Sequence, residues 1–285
     1  MTDYPPKYPK FKLLDLKDRE LFDKFQKKYP PVSGELTFAN SFLWRRFDHA
    51  EFSLVHGNLC LLLKPINEPA FFLPPLGENQ VKETLEICLR DAPRLSRVPE
   101  WFVKKYCGHL RAEPDRDNFD YVYLARDLAE LKGKKYDGKR NRIRKFTRLH
   151  PYQYARLTAE RLKGCGALFE EWIKGKSAQR TIWEELLKNY EGLNLTGGTI
   201  ISGDKIVAVT IGEKLNEETA IIYFEIAYPG YEGLAQLMNQ EFVKNEWADL
   251  KYINREQDMG IAGLRTAKLS YHPHHFVKKF NVYAE

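Results

Sequence analysis

The run Ile221–Phe242, IIYFEIAYPGYEGLAQLMNQEF, reads as a strand, a turn and the opening of a helix. Thr219–Ala227 is the longest strand signal in the chain, dense in β-branched and aromatic residues, and Tyr231–Trp247 is a strong helix. Between them Pro229-Gly230-Tyr231-Glu232-Gly233-Leu234-Ala235 forms a small-residue turn. Such a turn lets the N–H groups at a helix start approach a phosphate or carbonyl oxygen, and it also occurs as a plain strand-to-helix connection. Glu225 stands in the middle of the apolar strand, where a carboxylate is costly unless it is paired or functional. It is the first choice for an acid/base residue. The bland alternative is a side chain turned to solvent by strand alternation.

Working outward, the elements repeat in outline. Asp15–Lys28 predicts a helix stopped by Pro30-Pro31, and Leu36–Phe47 a second one. Phe52–Leu63 predicts a hairpin, with Gly57 and Asn58 suited to positive φ; Ala70–Leu73 follows as a strand, Val81–Arg90 as a helix, and Arg97–Tyr106 as a strand running into a short helix. Ala112–Asn118 is acidic and turn-rich and reads as a linker, so the expected domains are 1–117 and 118–285. The second half runs through a strand at Tyr121–Ala125, a basic helix at Lys139–Arg148 and helices at Arg161–Ile173 and Thr181–Tyr190. A hairpin at Gly197–Gly212 then precedes the quoted run, and a strand at Tyr252 and a helix at Ile261–Ser270 follow it. The halves share a pattern, helices, antiparallel meander, helix, strand and tail, without sharing sequence.

The chain has 285 residues, 43% hydrophobic and 29% charged, which fits a globular protein and excludes collagen-like, disordered and disulfide-scaffold classes. No apolar run is long enough for a spanning helix and the first ten residues are polar and proline-rich, so neither a transmembrane segment nor a signal peptide is expected and the default address is cytoplasmic. Cys60, Cys88, Cys107 and Cys165 lie far apart, which predicts reduced, buried thiols. His272, His274 and His275 cluster without H-E-x-x-H or a cysteine pair, so no metal is expected; G-x-S-x-G and GxxxxGK[ST] are absent too.

Net charge is +6, yet the segment 132–148 alone holds nine Lys/Arg against Asp137, so the remainder is net negative. Attraction to polyanions is therefore expected from Lys139, Arg140, Arg142, Arg144 and Lys145, around the apolar Ile143 and Phe146. The partners this fits are tRNA or, peripherally, anionic lipid headgroups.

Three stretches, the quoted run, Ile253–Pro273 (INREQDMGIAGLRTAKLSYHP) and Tyr123–Phe146 (YLARDLAELKGKKYDGKRNRIRKF), together resemble a bacterial family related to the C-terminal domain of phosphatidylglycerol lysyltransferase. The resemblance implies an α+β fold of two GNAT-like halves with the active cleft mainly in the second. It implies acyl or aminoacyl transfer to an amine or hydroxyl, with aminoacyl-tRNA ranked above acyl-CoA as donor and no tightly bound cofactor. Within the family pattern Glu225 matches an acid, Tyr228 takes a position usually held by Arg, and Lys279-Phe280 match a Lys-Phe pair near the end. Only part of a Q-x-x-G-x-G/A phosphate loop is present: Gly233 and Ala235 fill its small positions and Gly230 replaces Gln or Arg. Catalytic roles are thus expected for Glu225, Lys279 and Tyr271. Donor contacts are expected from Tyr228, Gly230, Gly233, Ala235, Arg265 and Lys268, the last two on one face of a short helix. The alternative is a GNAT-like module that binds tRNA, another polyanion or a protein without catalysis.

Overall fold

The computed structural model describes residues 4–174 and 177–284 and divides them into two compact units. The first comprises residues up to Asp120 together with Gln257–Ile261 and Phe276–Glu285; the second comprises Tyr121–Glu256 and Ala262–His275. The expected boundary at 117 therefore moves to 120, and two C-terminal segments return to the first unit.

In the first unit the sheet order is Lys12–Leu13, Glu51–Val55, Asn58–Leu63, Phe71–Phe72, Leu95–Pro99, Lys279–Tyr283, Arg111–Pro114. Helices Arg19–Lys28, Phe38–Asp48, Val81–Asp91 and Glu100–Tyr106 accompany it. The hairpin turn places His56 and Gly57, not Asn58, at positive φ. Asn58 instead opens the second strand, and its buried amide donates to the Asn79 carbonyl at 2.5 Å and to Thr84 Oγ1 at 2.9 Å. Cys60, Cys88 and Cys107 pack with Phe72, Leu85 and Phe102 in one core cluster, and all four cysteines are buried free thiols.

Ala112–Asn118 is not a linker. Arg111–Pro114 is an edge strand, antiparallel to Lys279–Tyr283, which also pairs antiparallel with Leu95–Pro99. The tail strand is pinned by charge as well as by its ladder. Lys279 is fully buried, and its Nζ donates to Glu35 Oε1 and Asp120 Oδ1, each at 2.6 Å. Burial alone would pull this amine down, but the two carboxylates raise it above the ordinary lysine value. Burial likewise works against an ionised Glu35, yet Lys279 and Arg97 hold its carboxyl below the usual range. Lys279 consequently cannot meet a donor carbonyl or phosphate. Its catalytic assignment is replaced by a structural one.

The other sheet, nearly all of it in the second unit, has the order His275–Val277, Asp120–Leu124, Tyr252–Asn254, Thr219–Ala227, Lys205–Lys214, Thr196–Ser202, Gln153–Arg156. Thr219–Ala227 pairs antiparallel with Lys205–Lys214 along its length, but its parallel neighbour Tyr252–Asn254 accompanies it for only Thr219, Ala220 and Ile221. Beyond Ile221 the two parallel strands part, and Glu225 lies on the parted stretch. Arg161–Ile173 is two helices, Ala159–Gly164 and Gly166–Trp172, joined at Cys165. The basic helix runs Asp137–Leu149 and buries Phe146. It sits against the turn before helix Leu234–Glu246: Gly233, at φ +93°, has no room for a Cβ, which would collide with the Arg142 carbonyl oxygen. Gly230, at φ +88°, has nothing within 4 Å of that position.

Two outcomes follow for stability. Lys279→Ala, which removes the buried cation shared by Glu35 and Asp120, should cost about 3–5 kcal/mol, read as a lowered urea midpoint. The Lys279 contribution is complete below the unfolded lysine value of about 10.4 and is lost as pH climbs through the raised folded value. That of Glu35 is complete above about 4.3 and fades as pH falls through the lowered one, so the variant's deficit should be flat between those limits. For the glycines, Gly230→Ala should cost about 1–2 kcal/mol, the left-handed penalty alone. Gly233→Ala should cost clearly more, because the basic helix must also shift; equal losses would disprove the tight seat.

Candidate functional site

The second unit gathers its charged chemistry around Glu225. The carboxylate is held on both oxygens: Oε1 accepts from Asn239 Nδ2 at 2.9 Å, and Oε2 accepts from Arg255 Nε at 3.0 Å and Nη2 at 2.7 Å. Asn239 comes from the buried face of helix Leu234–Glu246, and Arg255 immediately follows the short parallel strand. Glu225 remains 28% exposed in its side chain against 12% for Arg255, so the pair is open from the carboxylate side. Burial works to lower the guanidinium's proton affinity, but Glu225, Tyr123 and Tyr271 raise it overall. Arg255 Nη1 is buried without a hydrogen-bond partner among the described residues.

Tyr271 is buried, with Arg255 4.7 Å and Lys139 Nζ 4.0 Å from its ring centroid, and with Tyr123 packed edge-on at 6.3 Å. Its main-chain oxygen accepts from Tyr136 at 3.0 Å, which fixes the loop. Burial lifts the phenol to about 12; Arg255 opposes the rise and Glu225 adds to it. It is therefore protonated at neutral pH. Lys139 Nζ donates to Ser270 Oγ at 2.6 Å, and burial, then Arg142 and Arg255, pull this amine down to about 8.

The remaining expected residues scatter. Tyr228 is half-buried, its N–H continuing the ladder to Val207 O at 3.0 Å. Gly230 and Ala235 are exposed beside the turn, whereas Gly233 serves the seating of the basic helix and presents no open face to a donor. Lys268 is buried and its ammonium donates to the Arg255 and Glu256 carbonyls, so it shares no anion-binding face with the half-exposed Arg265. It braces the main chain on either side of the Arg255–Glu256 peptide.

The basic segment is also less bare than its sequence. Lys132 pairs with Glu130, Lys135 with Asp127, Arg140 with Asp137 and Lys145 with Glu232. Arg144 donates to Asn141, while Arg142 and Arg148 are exposed without an ion-pair partner among the described residues. No group of three or more His, Cys, Asp or Glu able to hold a metal, and no helix long and apolar enough to cross a membrane, occurs among the described residues.

Reading by sequence missed Arg255 and Asn239. The signal for Asn239 was an amide on the helix face shared by Leu237, Met238 and Phe242; Arg255 gave none beyond its place after a strand.

No curated protein matches the chain. Among solved structures, a conserved protein of unknown function from Bacteroides thetaiotaomicron is 31% identical with a TM-score of 0.88, over 96% of this chain and 99% of that one. L-PGS from Bacillus licheniformis is 16% identical with a TM-score of 0.68, over 94% and 92%. FemX is 8% identical with a TM-score of 0.58, over 97% of both chains. At such identities the last two show the fold alone, and that fold is the α+β pair of GNAT-like halves expected from the sequence. With residues 27–283 matching the model of that family, the chain belongs to the family described as phosphatidylglycerol lysyltransferase, C-terminal.

Proposed function

We propose that the protein transfers an aminoacyl group from aminoacyl-tRNA to an amine or hydroxyl, with the reaction centred on Glu225 in the second unit. The observation that carries this reading is the half-open carboxylate clamped by Arg255 and Asn239 on the parted strand. A carboxylate oxygen offers about two acceptor sites, and Oε1 has used one on Asn239. The other is available to an N–H or O–H of the acceptor. Glu225 then orients the nucleophile, and its own orientation is set before substrate arrives, which is where positioning gains rate. Tyr271, protonated at neutral pH, donates toward the departing ribose oxygen. Aminoacyl-tRNA is favoured over acyl-CoA because Gly233, the glycine that a phosphate loop would leave bare, is closed off by the Arg142 carbonyl. Exposed Arg142, Arg144 and Arg148 supply the long-range attraction for a polyanion.

The test offers lysyl-tRNA or acetyl-CoA as donor, with phosphatidylglycerol vesicles or a soluble amine series as acceptor, and follows product by mass spectrometry. Discharge of lysyl-tRNA is expected. Glu225→Gln should lower kcat at least about 100-fold when assayed well below its unfolding midpoint, which should itself fall because Arg255 loses its counter-charge. Turnover of acetyl-CoA alone would reverse the donor assignment, and full activity of the variant would remove Glu225 from the mechanism.

The basic helix also favours a second reading, a module that binds tRNA and leaves it charged. Filter binding across salt separates the two. Arg144→Ala and Arg148→Ala should each weaken tRNA binding and flatten the log–log salt slope by up to about one. Binding without discharge in the wild type would establish the module.

A further inference from the structure

Lys139 is a cation set among cations. Arg142 lies one turn along its own helix, Arg255 shares the Tyr271 ring with it, and the hydroxyl of Ser270 is its hydrogen-bond partner. Among the described residues it has no carboxylate within ion-pair distance. The nearest acid in sequence, Asp137, is bonded to Arg140, and the nearest acid of the site, Glu225, is bonded to Arg255 and Asn239. The amine is half-buried, so water compensates it poorly. Burial, Arg142 on its own helix and Arg255 after the parallel strand oppose the ammonium form, and they outweigh the Tyr271 ring and the Ser270 hydroxyl, which favour it. A lysine placed this way is an amine that gives up and accepts a proton near neutral pH.

We propose that Lys139 is the proton acceptor of the transfer reaction, taking the proton from the nucleophile that Glu225 orients. This rests on the transferase reading above and assigns within it the role that Glu225, occupied on both oxygens, fills poorly. The neutral Lys139 amine takes one proton from the acceptor, a hydroxyl or an amine already in its neutral form. The freed nucleophile forms a bond to the ester carbonyl carbon, and the carbon–oxygen bond to the tRNA ribose then breaks. The ribose oxygen leaves with a proton from Tyr271, and Lys139 restores Tyr271's proton by returning its own. Proton and bond counts balance without an added reactant. Lys139 and Tyr271 are neighbours, with Nζ 4.0 Å from the ring centroid.

Two measurements test it. Competitive labelling of the wild-type protein with trace acetic anhydride across pH 6–11, read by peptide mass spectrometry, should give Lys139 half-maximal reactivity near pH 8, against about 10.4 for exposed lysines. Titration with the exposed lysines overturns the proposal whatever the activity. In single-turnover transfer, Lys139→Arg keeps the charge and loses the titration, and should slow the chemical step about 100-fold or more with substrate affinity retained. The acidic limb of the rate profile should vanish, and added alkylamines should partly rescue Lys139→Ala. Unchanged rates and profile in both variants overturn the base role while leaving the transferase standing. A wild type that discharges no donor overturns the transferase reading and the base role with it.

Discussion

One ion pair organises the site of the second unit, in which Glu225, on the exposed face of its strand, gives the buried Arg255 its counter-charge. The partner is a guanidinium from the end of a strand that pairs with Thr219–Ala227 for only three residues. Its planar fork lays two N–H donors on one oxygen while a helix amide takes the other.

The same guanidinium is held from behind. Lys268 ties the carbonyls of Arg255 and Glu256, and Tyr123 and Tyr271 lie within cation–π reach of the guanidinium. A buried lysine used in this way contributes no charge to a ligand, yet without it the main chain at Arg255 would lose its brace. Residues that look like anion ligands on a helical wheel can instead be the supports of the residue that matters. Only the direction of the side chain separates the two, and spacing three apart does not encode direction.

Much of the element order was legible because it is local. The strand at Thr219–Ala227, the helix after it, the two glycine-centred hairpins and the proline-stopped helices all announce themselves within a window of a few residues, as does the oddity of Glu225. The basic helix was legible as an element but not as a surface, since Glu232, its partner for Lys145, lies 87 residues away. The tail strand was not legible at all. Lys279–Tyr283 alternates weakly, and what makes it a central strand is a ladder to Leu95–Pro99 and Arg111–Pro114 plus an ion pair to Asp120, all far off in sequence. For the same reason Arg111–Pro114 read as a linker: an edge strand of charged and proline residues has no pattern until its partner is known.

Lys139, Lys268 and Lys279 share one side chain and three opposite fates. Between two carboxylates, Lys279 is held charged and closed away; against two carbonyls, Lys268 becomes a brace. Facing two guanidiniums and a hydroxyl, Lys139 is driven toward the neutral amine. Burial penalises the charge in each case, and the neighbours decide whether it is repaid. The residue matched to a family lysine near the tail is therefore the one least able to do chemistry, and the lysine counted as part of a polyanion-binding surface is the one whose proton is loosest. A motif transfers an identity from one chain to another, but proton affinity is set by which groups the fold brings within about 5 Å, where charge–charge energies in a protein reach several kcal/mol. Searching a site for its base should accordingly begin with the cation that lacks an anion, before the acid that already has its cation.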